Sequence, residues 1–104
     1  MNDDKRDAQK DEEWSKAVKE RDHHRCRIVL RGCQGKATDA CHIFVRGYRA
    51  LRWDIDNGLA GCRSCHTWCE EHPGAFTMLV PMLISSEVWS RLLSVMREHY
   101  NYRI

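Results

Sequence analysis

Six cysteines in a chain of 104 residues are the first candidates for chemistry. Cys62 and Cys65 are separated by two residues, a spacing that lets two thiolates reach one tetrahedral Zn²⁺. Cys26 and Cys33 are the natural choice for the other two ligands, and Cys69 competes with them because it lies four residues after Cys65 on the same predicted helical face. The spacing therefore predicts a structural zinc site, against the alternative of free buried thiols.

Three further residues whose side chains could do chemistry follow one another along the chain. His42 lies on a predicted strand, Asn57 in the following connection, and His66 directly after the Cys62–Cys65 pair. A histidine with an ordinary pKa can take a proton from water at neutral pH. A single histidine is more often a satisfied surface or core residue, but the ordered set beside a zinc motif favours a catalytic role.

The run DACHIFVRGYRALRWDIDNGLAGCRSCHTWCEEHPGAF resembles the HNH endonuclease family, whose core is the ββα-metal or His-Me finger motif. The similarity is closest to the small zinc-containing members found in phages and prophages. The matching elements are Cys-His-Ile at 41–43, Arg-Trp-Asp-x-Asp-Asn-Gly at 52–58, Cys-x-x-Cys-His at 62–66, and His-Pro-Gly-x-Phe at 72–76. The resemblance covers residues 26–76 and leaves the flanking helices uncovered.

The resemblance implies a metal-dependent DNA endonuclease or nickase, a phosphodiester hydrolase. His42 matches the general base, and Asn57 matches the residue that orients this histidine through the loop. His66 matches the helix ligand of a catalytic divalent cation, for which Mg²⁺, Mn²⁺, Ni²⁺ and Zn²⁺ are the candidates. Such a cation would neutralise the charge that develops on the phosphate during hydrolysis.

One position departs from the family pattern. The residue before the base histidine is usually Asp, His or Glu and binds the cation, but here it is Cys41, a soft ligand that favours zinc over Mg²⁺. Either Cys41 binds a softer metal, or a carboxylate assists. Asp39 shares a strand face with Cys41, and Glu70 lies at i+4 from His66.

Basic residues are concentrated in the middle of the chain. Residues 1–22 carry six basic and eight acidic side chains, whereas residues 25–63 carry eight basic and three acidic ones. Arginine suits two-pronged contacts to phosphate. The predicted DNA-binding residues are Arg46, Arg49, Arg52 and Arg63. A solvated basic face is the plainer interpretation of this charge when it is taken alone.

The elements that must position these residues predict an α+β fold in a single domain, 1–104. A charged helix is expected over 1–22, a zinc-stapled ββα-metal core over 26–76, and an amphipathic helix over 85–101. Within the core, hydrophobic patterning predicts strands at 27–30, 38–45 and 59–61, a helix at 63–71, and an apolar segment at 75–83 kinked near Pro81.

Composition excludes a membrane span, since no run of 18 or more apolar residues exists. The charged N-terminus has no apolar signal region, and so we expect a cytoplasmic protein, in the host cell if phage encoded. The expected partner is DNA, with a phage terminase or recombination proteins as further candidates, and the chain is expected to be a monomer or a homodimer. Two alternatives stay open: a zinc-stapled DNA-binding module that cuts weakly or not at all, and a thiol redox protein using Cys62 and Cys65.

Overall fold

The computed structural model describes residues 3–102 as an α+β fold with a two-stranded sheet and four α-helices. In chain order the elements are α1 (Asp3–Arg21), β1 (Asp39–His42), β2 (Gly58–Gly61), α2 (Arg63–Glu71), α3 (Pro73–Leu79) and α4 (Ser86–Tyr100). Two short 3₁₀ helices, Ile55–Asn57 and Val80–Met82, precede β2 and α4. The helices predicted over 1–22, 63–71 and 85–101 are therefore present as α1, α2 and α4, and residues 1 and 2 of the first prediction lie outside the described residues.

Helix α1 packs on the sheet through the second half of its length. Trp14 and Val18 are its buried residues, and both contact β2 at Gly58. A Cβ atom at position 58 would lie 2.5 Å from the Trp14 ring and 2.8 Å from Val18. The absence of a side chain at Gly58 therefore allows α1 to approach the sheet closely.

The sheet is a short antiparallel pair in which Cys41 lies opposite Leu59 and His42 opposite Gly58. The strand predicted over 38–45 ends at His42. Beyond it, the Ile43 N–H donates to the backbone carbonyl of Asn57, and Phe44 pairs with the Asn57 side chain rather than with a neighbouring strand. The strand predicted over 27–30 is wrong. That segment is irregular, with Val29 in the left-handed region at φ 54° and a single bridge between Arg25 and Lys36.

Polar residues set the starts of the later helices. The Cys62 sulfur accepts the Cys65 N–H at the start of α2, and the Ser85 hydroxyl accepts the Val88 N–H at the start of α4. The predicted apolar segment at 75–83 forms the rest of α3 and the second 3₁₀ helix, which contains Pro81. The expected kink near this proline is therefore a change of helix type.

Two buried clusters join these elements. The larger one combines the sheet, α2, α3 and α4 around Leu51, Leu59, Leu92 and Met96. The smaller one joins α1 to β2 and to the segment just before β1 through Trp14, Val18, Ala37 and Ala60. None of the helices in the described part of the chain combines the length and apolar composition that a bilayer crossing requires.

Candidate functional site

Four sulfur atoms converge between the irregular loop at 26–35 and the start of α2. The Sγ atoms of Cys26, Cys33, Cys62 and Cys65 all lie within 4.8 Å of one another. Ligands at about 2.3 Å from a tetrahedral zinc ion are separated by about 3.8 Å, and the Cys33 and Cys62 sulfurs are 3.9 Å apart. The cluster therefore fits a structural metal ion, and zinc is compatible with its four thiolates.

Backbone N–H groups donate hydrogen bonds to three of the four sulfurs in this cluster. The donors are Leu30 N to Cys65 Sγ at 3.5 Å, Gln34 N to Cys62 Sγ at 3.4 Å, and Gly35 N to Cys33 Sγ at 3.3 Å. Burial nevertheless raises the pKa of the Cys65 thiol to about 12. Burial opposes ionisation, but hydrogen bonds from the Ser64 hydroxyl and from backbone N–H groups lower the pKa of the Cys62 thiol to about 6. A thiolate at this position is the form that binds a metal.

The other two cysteines lie outside the cluster. Cys69, the competing ligand, is buried in the larger core, and burial raises the pKa of its thiol to about 11. Cys41 is 1% exposed, and burial raises the pKa of its thiol far above the usual range. A Cβ atom at Gly61 would lie 2.7 Å from the Cys41 sulfur, so the glycine provides the space for this side chain.

His42 is held at the end of β1 by one hydrogen bond and one ring contact. Its Nε2 lies 2.8 Å from the backbone carbonyl oxygen of Arg52, and its ring stacks on Trp14 at 3.9 Å between centroids. A carbonyl only accepts, so Nε2 carries the proton and the neutral ring has its lone pair on Nδ1. Burial lowers the pKa of His42 despite the Arg52 carbonyl, and the neutral, basic form is favoured.

Asn57 is buried and fixes the loop that leaves β1. Its Oδ1 accepts the Phe44 N–H at 2.8 Å, and its Nδ2 donates to the carbonyls of Phe44 at 2.9 Å and Leu51 at 3.1 Å. Both ends of residues 44–51 are thereby joined to one side chain. Arg52, whose carbonyl holds His42, directly follows this loop.

His66, in the first turn of α2, lies between the carboxylate of Asp39 on β1 and that of Glu70 near the end of α2. Its Nδ1 is 2.8 Å from Asp39 Oδ2, and its Nε2 is 3.1 Å from Glu70 Oε1. Arg63 also donates to Asp39, at 2.8 Å. Burial opposes ionisation of Asp39, but the hydrogen bonds from His66, Thr38 and Arg63 hold its pKa below the usual value.

The predicted catalytic-cation residues are thus only partly brought together. Asp39 contacts Nδ1 of His66, and Glu70 contacts Nε2 of the same ring. The contact with Asp39 fixes the orientation of the imidazole ring. Within residues 3–102, the cysteine cluster is the one group of three or more His, Cys, Asp or Glu ligand atoms that lie within 4.8 Å of one another. Cys41 lines the same cavity as His66, although it belongs to no such group.

A cavity of about 780 Å³ connects the two histidines. His42, His66 and Glu70 all line it, together with Arg46 and an aromatic wall that includes Tyr48. Both imidazole rings therefore border the same cavity.

The arginines predicted to bind DNA are paired with carboxylates. Arg49 makes two contacts to Asp7, at 3.1 and 3.3 Å, and Arg52 makes two to Asp11, at 2.9 and 2.7 Å. Arg46 lies 3.9 Å from Asp11. These carboxylate partners were not predicted, although Asp7 and Asp11 share the face of α1 that carries Trp14 and Val18, at i, i+4, i+7 and i+11.

The chain matches no known family model, no curated protein and no solved structure.

Proposed function

We propose that the chain is a metal-dependent DNA endonuclease or nickase of the HNH type, in which β1, β2 and α2 form the ββα-metal core. The observation that carries the proposal is that His42, which lines the same cavity as His66, is held by the Arg52 carbonyl and is kept in its neutral form by burial. With Nε2 bonded to the Arg52 carbonyl, the lone pair on Nδ1 is available to accept a proton. Residues 26–35 and α2 are joined at the cysteine cluster, whose proposed ion is zinc.

His42 is the proposed general base. Trp14 covers one face of the ring, and burial keeps the pKa low, so the imidazole is neutral and its orientation is restricted. A water molecule at Nδ1 would lose a proton to the ring as its oxygen attacks the phosphorus. Asn57 acts as a positioning residue, because it fixes the loop from which the Arg52 carbonyl reaches the ring.

His66 is the proposed ligand of the catalytic divalent cation. Asp39 accepts from Nδ1 and so directs Nε2 towards the cavity, where Glu70 provides a neighbouring carboxylate oxygen. A divalent cation bound there would stabilise the negative charge that develops on the phosphate and on the departing oxygen. The acidic oxygens favour Mg²⁺ or Mn²⁺, whereas the imidazole also accepts Ni²⁺ or Zn²⁺.

The test is a nicking assay on supercoiled plasmid with Mg²⁺, Mn²⁺, Ni²⁺ or Zn²⁺, in which His42→Ala is compared with the wild type. We expect cleavage by the wild type and a loss of about 100-fold or more in the variant, since general base catalysis contributes at least this factor. His99→Ala is the matched control, because His99 is an exposed residue of α4. Equal cleavage by the wild type and His42→Ala would overturn the role of His42.

A second candidate function is a zinc-stapled DNA-binding module without cleavage activity. The observation that favours it is the burial of Cys41, where the HNH pattern has an accessible hard ligand. This candidate predicts salt-dependent DNA binding by a zinc-loaded protein. It also predicts no nicks with any of the four cations.

A further inference from the structure

The first half of α1 covers the arginine surface, which consists of Arg46, Arg49 and Arg52. Asp7 and Asp11 each present two carboxylate oxygens to one guanidinium group, the geometry that arginine also uses for phosphate. Hydrogen bonds from Arg49 and from Arg52, respectively, keep the pKa values of Asp7 and Asp11 below their usual value. Both carboxylates are therefore charged at neutral pH and occupy positions that backbone phosphates would need.

The two halves of α1 are attached to the protein in different ways. The buried residues of the helix, Trp14 and Val18, belong to the second half, and Arg21 adds hydrogen bonds to the carbonyls of Ile55 and Gly58. The first half, residues 3–13, makes polar and cation–π contacts, such as Lys10 over the Trp53 ring at 4.6 Å. The Arg49–Asp7 pair is exposed, whereas Asp11 is half-buried and accepts from Arg52 and from the Trp53 Nε1–H at 2.9 Å. Both carboxylates keep some contact with solvent, and ion pairs of this kind are weak and are screened by salt. This half can therefore separate while the second half stays packed.

We propose that the first half of α1 competes with the nucleic-acid backbone for the arginine surface and is released when DNA binds. Asp7 and Asp11 stand where two phosphates bind, and the arginines exchange one set of anions for the other. This inference rests on the proposed function, because it takes DNA as the ligand. It adds a regulatory contact at residues 3–13, outside the region of the chain that resembles an HNH nuclease.

Competition of this kind affects both the affinity and its salt dependence. In the wild type, DNA binding must break the two carboxylate pairs, and this lowers the apparent affinity. Salt also weakens those pairs, and so part of the usual loss of DNA affinity with salt is compensated. Removal of the two carboxylate charges should therefore strengthen binding most at low salt.

The experiment compares wild type with Asp7→Asn/Asp11→Asn, using fluorescence anisotropy of a labelled DNA duplex at about 50 and about 200 mM salt. We expect the double variant to bind about tenfold more tightly at the lower salt and to show a smaller advantage at the higher salt. Glu12→Gln/Glu13→Gln is the matched control. It makes the same change in net charge on exposed positions of the same helix, away from the arginines, and should alter affinity less than about twofold.

The outcomes separate this inference from the proposed function. Equal gains in the two double variants would show a general charge effect and overturn the competition, and weaker binding by Asp7→Asn/Asp11→Asn would overturn it as well. Binding of DNA by none of the proteins would instead overturn the proposed function, and this inference with it.

Hydrogen exchange on the wild-type protein gives a measurement that needs no variant. The amides of residues 5–13 should exchange faster when saturating DNA is added, whereas those of residues 15–21 should be unchanged. Unchanged or slower exchange over residues 5–13 in a protein that binds DNA would contradict the release of this half.

Discussion

Both polar atoms of the Asn57 side-chain amide form hydrogen bonds with the backbone of one loop. With Oδ1 on the Phe44 N–H and Nδ2 on the Phe44 and Leu51 carbonyls, each polar atom of this fully buried group has a partner. A side chain that is satisfied in this way stabilises one loop conformation, since any other leaves buried polar groups unpaired. His42 depends on that conformation through the carbonyl of Arg52.

Replacing Asn57 by Asp is expected to destabilise the protein by about 3 kcal/mol or more, because a carboxylate oxygen would then face two carbonyl oxygens in a buried position. Denaturant unfolding followed by tryptophan fluorescence measures the loss. Asn101→Asp makes the same chemical change at an exposed position and should cost less than about 1 kcal/mol. A loss at Asn57 no larger than that at Asn101 would contradict the role of the amide in fixing the loop.

At the scale of residues, the sequence predicts which side chains are candidates for the site better than it predicts their contacts. The order His42, Asn57, His66 was readable because each lies in or near a recognisable motif. The sequence does not predict the stack of His42 on Trp14 or the hydrogen bond from His42 to the Arg52 carbonyl, because both depend on how α1 and a loop pack against β1. The catalytic and cation-binding roles of these residues stay predictions.

At the scale of elements, helices were predicted more accurately than the irregular loop. α1, α2 and α4 are signalled by periodic apolar residues or by caps that act within one turn, such as Ser85 before α4. The segment at 26–35 contains a short apolar run, 28–30, that is typical of a strand. Its backbone N–H groups donate instead to the sulfurs, to the Ala60 carbonyl and to carbonyls within the loop. The four-cysteine cluster, which the spacing of the cysteines did predict, overrides local strand propensity there.

Loss of one cluster cysteine should release this loop from α2. Cys26→Ala is expected to abolish stoichiometric zinc and to lower the free energy of unfolding by about 3 kcal/mol or more, because metal binding and folding of the loop are coupled. Cys69→Ala removes a buried thiol outside the cluster, and should retain one zinc per chain. Zinc content by mass spectrometry of the intact native protein measures both. Equal zinc loss in the two variants would contradict the assignment of the ligands.

At the scale of the whole molecule, charge segregation along the chain becomes charge pairing in space. The described part of the acidic segment, residues 3–22, lies against the basic middle block, with Asp7 and Asp11 on arginines of the loop after β1. Counts of charge per segment cannot reveal this, since they contain no information on which segments meet. The net charge of +2 is therefore smaller than the local positive charge that the arginine surface would expose if the first half of α1 were displaced.

Asp22 connects four parts of the chain from one buried position. Its carboxylate accepts from Arg21 at 2.8 Å, from Arg27 at 3.0 Å and from the Ala60 N–H at 2.9 Å. Arg27 in turn donates to the Leu83 carbonyl at 2.6 Å, shortly before α4. Burial opposes the charge, but these hydrogen bonds hold the pKa of Asp22 below 3.8. The end of α1, the loop at 26–35, β2 and the approach to α4 thus share one anion.

Asp22→Asn is expected to lower the free energy of unfolding by about 2 to 4 kcal/mol, since it leaves two guanidinium groups without their anion. A folded-state pKa below 3.8 means that the stabilisation is complete above that value and is lost only as the pH falls through the folded pKa. The difference between variant and wild type should therefore be constant from about pH 6 to about pH 8. It should also persist at about 1 M salt, because the Asp22 carboxylate is only 2% exposed.

Asp56→Asn breaks an exposed pair with Arg91 and is the control, with an expected cost below about 1 kcal/mol that salt reduces. Urea unfolding at two salt concentrations measures both variants, and a cost at Asp22 as small and as salt-sensitive as that at Asp56 would show that this carboxylate does not join the molecule together.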